Sequence, residues 1–455
     1  MTFFNVSKPG QGASAIRGHV VTIKGDPFVE GDDEVLVDIA DGGVVVRDGI
    51  ITSIGSWDQV KSDVPEGTRV DHFRDQIITS GFVDAHVHYV QTGIIGAFGA
   101  QLIDWLNEYT FVAEQRFSDK DYAAAVAKVF FDELLRNGTT TALTFCAVYP
   151  ESVDAFFEES QRRGTRMVAG KVLMDRNAPD SLLDTAQSAY DDSKILIDRW
   201  HGRGRNLYAV TPRFAPTSTQ AELDVAATLR RETPGALMHT HVSENLGEIA
   251  WVRSLFPKSR GYLDVYDKSG LLGPGAVLAH GVHLTAQERI RVVETHSAVA
   301  HCPTSNLFLG SGLFNMHQAK SAKHNMTVGL GTDIGAGTSF SLLSTMNEAY
   351  KVAQLTHNPI DAIKMFYLAT LGGAQALGIE DRIGSLEVGK EGDVIVLDPK
   401  ATDLLAFRSA RVTSLEEQLF VLATMGDDRT IAATYVGGEI VYSRDGLAPT
   451  GSKER

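Results

Sequence analysis

The chain has 455 residues, 43% of them hydrophobic and 22% charged, with a formal charge of −15; it is long enough for one large barrel with an appendage or for two or three domains. Such acidity excludes a nucleic-acid backbone or an anionic membrane surface as partner, because both demand clustered lysine and arginine. There is no apolar run of about 18 residues and no basic-then-apolar start, so the cytoplasm is the expected compartment, and Cys146 and Cys302, far apart and outside any CxxC spacing, are expected to be reduced, buried thiols.

The first eighty residues have the texture of sheet: apolar, β-branched stretches at 16–23, 34–56 and 68–80 are broken by GDD, DGG and RDG turns. Val44 with Val46, and Ile50 with Ile54, alternate as strands with one buried face do. The same texture returns at 384–399 and 430–446, which predicts one small β-sandwich built from both termini. Between them the rhythm changes. A strand over 76–88 is followed by a helical region at about 101–137, and strands then alternate with helices. Strands fall at 139–148, 166–175, 207–214, 236–244, 276–283, 297–303 and 326–333, and helices at 151–164, 181–200, 219–232, 245–256, 285–296 and 341–355, with a short one after the seventh strand. Eight apolar strands, each followed by a helical segment, predict a (β/α)8 TIM-like barrel, whose chemistry sits at the C-terminal ends of its strands. A doubly wound sheet would need a glycine-rich turn after the first strand, where this chain has HVHYVQ.

The strand ends can therefore be read as a set. On a strand, His86 and His88 share a face and form a chelating pair, whereas a helix would splay them roughly 200° apart. Two imidazoles hold part of a zinc-like site and need further ligands from elsewhere in the chain. Gln91 follows the pair; the fourth strand ends with Arg213 and Phe214, the fifth with His239, His241 and Glu244, the sixth with His280 and His283, the seventh with His301 and the eighth with Asp333. The bland readings make His239 a hydrogen-bonded core residue one layer deeper, His283 a solvated loop residue, His301 a hydrogen-bonding support for a ligand or the bound water, Arg213 half of a structural ion pair, and Trp105 packing or lid. Lys171 falls mid-strand, so a single metal is a simpler expectation than a carboxylated lysine bridging two.

These motifs resemble the amidohydrolase superfamily and, within it, the guanine deaminases. The resemblance runs over essentially the whole chain, from GFVDAHVHYVQ through WLNEYTFVAEQRF, VTPRF, HVSEN, LAHGVHL, AHCPTSNLFLGSG and GLGTDIGAGTSFS to GDDRTIAATYVGG. It implies His86, His88, His241 and Asp333 as ligands of one Zn2+ per subunit, with Fe2+ acceptable to the same set. It further implies Glu244 as proton shuttle, His280 on the attacking water, Asp333 as a second catalytic carboxylate, and Gln91, Arg213 and Phe214 on the purine. The implied reaction adds water to C2 of guanine while Glu244 protonates N3, and releases xanthine and ammonia. The arginine suits O6 or a neighbouring acceptor, and adenine's amino group would face it with a donor. The resemblance also implies a homodimer. The division expected is 1–78 and 384–455 for the terminal sheet unit and 79–383 for the barrel.

Overall fold

The structure, a computed structural model, describes residues 2–3, 12–99 and 101–446; of the expected terminal segments, residues 1, 4–11 and 447–455 lie outside those described. The short apolar runs become eight parallel strands in consecutive order: Phe82–His88, Thr139–Phe145, Arg166–Gly170, Leu207–Pro212, Leu237–Val242, Ala276–His280, Ala298–His301 and Thr327–Leu330. A two-residue strand, Val172–Leu173, continues the third one beyond Lys171 and pairs with the fourth. The eighth strand returns to the first. The Asp333 amide donates to the His86 carbonyl at 2.9 Å, and Gly331 allows the approach, since a Cβ there would stand 2.9 Å from both His86 Cβ and Cys302 Sγ.

Side chains from alternate positions, among them Val83, Ala85, Leu143, Val168, Ala209, Leu237, Val277 and Ala298, fill the barrel interior, and Leu377 and Ile379 pack onto that layer. The first strand slips register against the second between Asp84 and Val87. That irregularity hands the inward direction from Val83 and Ala85 to His86 and His88, which face the mouth above the packed layer. The expected helices form around the barrel, including Lys120–Arg136, Pro150–Arg163, Ala186–Trp200, Gln220–Glu232 and Leu342–Leu355. The region from 101 to 137 is helical but interrupted, with a wide π turn at Leu106–Thr110.

The two chain ends meet in one mixed eight-stranded sheet. Its order runs from Thr2–Phe3 through Glu439–Ser443, Ile431–Val436 and Val394–Leu397 to Val70–Ser80, Ala13–Ile23, Leu36–Arg47 and Ile50–Ser56. Two details depart from the alternation read in the sequence. Val45 is as fully buried as Val44 and Val46, because the short helix Trp57–Val60 covers the second face of that strand. Ile50 is exposed while Ile51 joins Ile54 against the core, because the register slips by one residue at Thr52 and reverses the parity.

Candidate active site

His86 and His88 end the first strand, His241 the fifth, His280 the sixth, and Asp333 follows the eighth, so four segments distant in sequence converge on one point. His86 Nε2 lies 3.2 Å and His88 Nε2 3.4 Å from Asp333 Oδ1, and His88 Nε2 lies 3.2 Å from His241 Nε2. All four side chains are buried or nearly so, and His86 Nε2 has no hydrogen-bond partner. Donor atoms around a tetrahedral zinc, at bonds of about 2.0–2.1 Å, stand roughly 3.3 Å from one another, so this donor set fits a bound divalent ion. The far side of two rings fits as well: His241 Nδ1 donates to the Arg213 carbonyl at 2.7 Å, and His86 Nδ1 meets His239 Nε2 at 2.7 Å. Each contact leaves Nε2 as the ligating atom. Cys302 lies within the same reach of His280 and Asp333, and burial pushes its thiol well above the usual range.

Glu244 faces this group from the loop after the fifth strand. Its Oε1 accepts from the Ser311 hydroxyl at 2.9 Å, and its Oε2 lies 3.5 Å from His280 Nε2. Burial raises its carboxyl above the ordinary value, against the pull of His280. Burial also opposes charge on Asp333, yet His86, His280 and His88 outweigh it and hold that carboxyl well below the usual range. His280 is itself oriented by Asn306, whose Oδ1 lies 2.9 Å from its Nδ1. Ser243, His280 and Asp333 adopt positive φ of 48°, 71° and 51°, conformations that L side chains rarely take and that cluster here around the reacting groups.

The remaining side chains read from the sequence as candidates line the cavity above: Gln91, Arg213 and Phe214 share it with His88, His241, Glu244, His280 and Asp333, while Leu102, Trp105, Leu106 and Leu309 supply apolar wall. Trp105 is thus a wall residue rather than mere packing. Arg213 is half of a buried ion pair, its Nη1 bonded to both oxygens of Glu114 at 3.0 and 2.8 Å, and it faces the cavity as well. His239 is the deeper hydrogen-bonded residue it was expected to be. Lys171 is tied to Asp184, away from the metal-capable group. One expectation changes. His283 is half-buried, with Nε2 on the Ser311 carbonyl at 2.7 Å, rather than a free loop residue. His301 stacks on Phe314 with its Nδ1 unpartnered, and burial brings its pKa down to about 3.

Residue-by-residue reading missed Glu114, Asp84, Asn306, Ser311 and Glu248. Asp84 accepts from the amides of His86 and Thr332 and from the Thr332 hydroxyl, joining the first strand to the residue before Asp333. Glu248 accepts from the Glu244 and Asn245 amides at 2.9 and 3.2 Å. Only Asp84, two residues before His86, carried a positional hint; the others are recognisable only once strand ends are brought together.

Comparison with known proteins adds independent findings. The amidohydrolase family model matches residues 77–441. The chain is 50% identical to guanine deaminase of Escherichia coli strain K12 over 434 residues, 95% of this chain and 98% of that one. Among solved structures, E. coli guanine deaminase superposes with a TM-score of 0.91 at 49% identity, covering 95% of this chain and 100% of the other. Guanine deaminase from C. acetobutylicum with guanine bound in its active site superposes with a TM-score of 0.85 at 30% identity, over 95% and 100%.

Proposed function

The chain belongs to the amidohydrolase family, and from that premise we propose that it is a guanine deaminase, hydrolysing guanine to xanthine and ammonia with one divalent ion at the barrel mouth. The observation that carries the reading is the convergence of His86, His88, His241 and Asp333 at a cavity lined also by Arg213 and Gln91. In this reading those four side chains hold the ion, zinc by preference and iron(II) by tolerance. Bound there, the ion supplies Lewis acidity that brings the pKa of water toward about 7.

The side chains do the rest. Glu244, its carboxyl raised by burial, takes a proton from the attacking water and delivers it to N3 as the bond to C2 forms. His280, fixed by Asn306 with Nε2 toward Glu244 and Asp333, hydrogen-bonds the incoming oxygen. The second proton of that water, still on the added oxygen, is passed by Asp333 or by Glu244 to the amine, which leaves as ammonia as the C2–N bond breaks and the C2 carbonyl forms. Phe214 lies against the ring, and Arg213 with Gln91 addresses its far edge. Leu102, Trp105, Leu106 and Leu309 exclude water from the remainder.

The reading includes a homodimer, supported by the family resemblance, and a cytoplasmic location. No helix among the described residues is long and apolar enough to cross a membrane. The test is ammonia release by the purified, metal-loaded protein across guanine, adenine, a pterin and an aminotriazine. Guanine is expected to give the highest kcat/KM; turnover of another ring with none of guanine would contradict the assignment.

A further inference from the structure

One buried charge, bonded to two residues that line the cavity, has no part in the chemistry above. Glu114, on the helical turn Phe111–Glu114, is fully buried. Its Oε1 accepts from Arg213 Nη1 at 3.0 Å and from Gln91 Nε2 at 3.4 Å, and its Oε2 from the same Nη1 at 2.8 Å. A carboxylate paired with a guanidinium only accepts hydrogen bonds. It therefore dictates which end of the Gln91 amide turns toward it, and that end is the nitrogen. The amide oxygen is left over Gly335, where a side chain's first carbon would stand 2.0 Å from it.

We propose that Glu114 is a positioning residue that sets substrate specificity. By holding Gln91 Nε2 and one Arg213 nitrogen on a single carboxylate, it makes the cavity present guanidinium donors beside an amide acceptor. The complement is a ring edge in which a carbonyl oxygen adjoins a ring N–H, as O6 and N1–H do in an oxopurine. An aminopurine carries the reverse order, an amino donor beside a ring acceptor, and would set donor against donor and acceptor against acceptor. With a neutral amide at position 114, Gln91 is free to turn over, and the edge loses its polarity. This inference rests on the purine reading of the cavity and not on the deamination step.

Hypoxanthine and adenine separate the two questions, because both lack the C2 amine and they differ at the edge in dispute. Their dissociation constants are to be measured calorimetrically on the metal-loaded wild type, Glu114→Gln, Gln91→Leu and the double variant, with circular dichroism and metal content recorded for each. The wild type is expected to prefer hypoxanthine by about tenfold or more. Glu114→Gln and Gln91→Leu should each lose most of that preference with metal content unchanged, and the double variant should lose no more than either single one. Should Glu114→Gln not fold, Gln91→Leu against wild type carries the test. Equal affinities in the wild type, or full preference retained in a folded Glu114→Gln or in Gln91→Leu, would overturn the proposal. A preference lost as expected, in a protein that releases no ammonia from guanine, would support it while removing the deaminase reading.

Discussion

In the proposed mechanism Glu244 is the side chain on which proton transfer depends, and its surroundings suit that role. One oxygen is anchored by Ser311, the other lies near His280, and its amide is tied to Glu248. Glu244→Gln keeps the shape and the Ser311 contact but removes the titrating group. Its kcat is expected to fall by about 10²–10⁴-fold with metal content unchanged, as steady-state kinetics and elemental analysis would show; a near-normal kcat would take Glu244 out of the mechanism. At this scale the sequence was informative wherever chemistry restricts residue type. The histidine pair, HVSE, the TPRF arginine and GTD were legible because imidazoles and carboxylates at strand ends need partners. Glu114 was not, since nothing in a helical stretch marks one glutamate as buried against an arginine 99 positions away.

Among the elements, the junction of the first and eighth strands matters most, because it brings two of the proposed ligands to Asp333. Asp84 spans it, accepting from the His86 amide at 3.2 Å, the Thr332 amide at 3.0 Å and the Thr332 hydroxyl. Burial raises its carboxyl to about 7, and the Thr332 and His86 contacts restrain the rise. Asp84→Ala would strand buried donors on both strands at about 1–3 kcal/mol each. The expected outcome is a drop of about 3 kcal/mol in unfolding free energy and a 10–100-fold loss of metal affinity, measured by denaturation and by equilibrium metal titration. An unchanged affinity would separate Asp84 from the site. Strand and helix positions were legible from periodicity, because eight apolar runs separated by amphipathic ones admit few arrangements. Breaks in the pattern were not: the slip at Thr52, the interruption at Lys171 and the π turn at 106–110 arise from neighbours distant in sequence.

For the whole molecule, the barrel and the terminal sheet are joined by a buried charge cluster. Arg166, which opens the third strand, and Arg205, before the fourth, both grip Glu391, and Arg205 also holds Asp393, beside the last strands of the sheet. Burial opposes charge on Glu391, but the two arginines outweigh it and bring its pKa from 4.5 to about 2. A carboxylate depressed in the folded state adds stability above its unfolded pKa and loses it as pH falls through the folded one. Glu391→Gln should therefore destabilise the protein by about 3 kcal/mol at neutral pH, and its deficit should shrink between pH 4.5 and about 2; a deficit constant across denaturation curves in that window would contradict the pairing. The proposed function rests on four candidate ligands holding one ion, and metal removal tests that most directly. The protein is stripped with a chelator and titrated with zinc while bound metal and ammonia release from guanine are followed together. The account predicts no turnover in the stripped protein and recovery in proportion to bound metal up to one ion per chain; full turnover in a metal-free protein would contradict it.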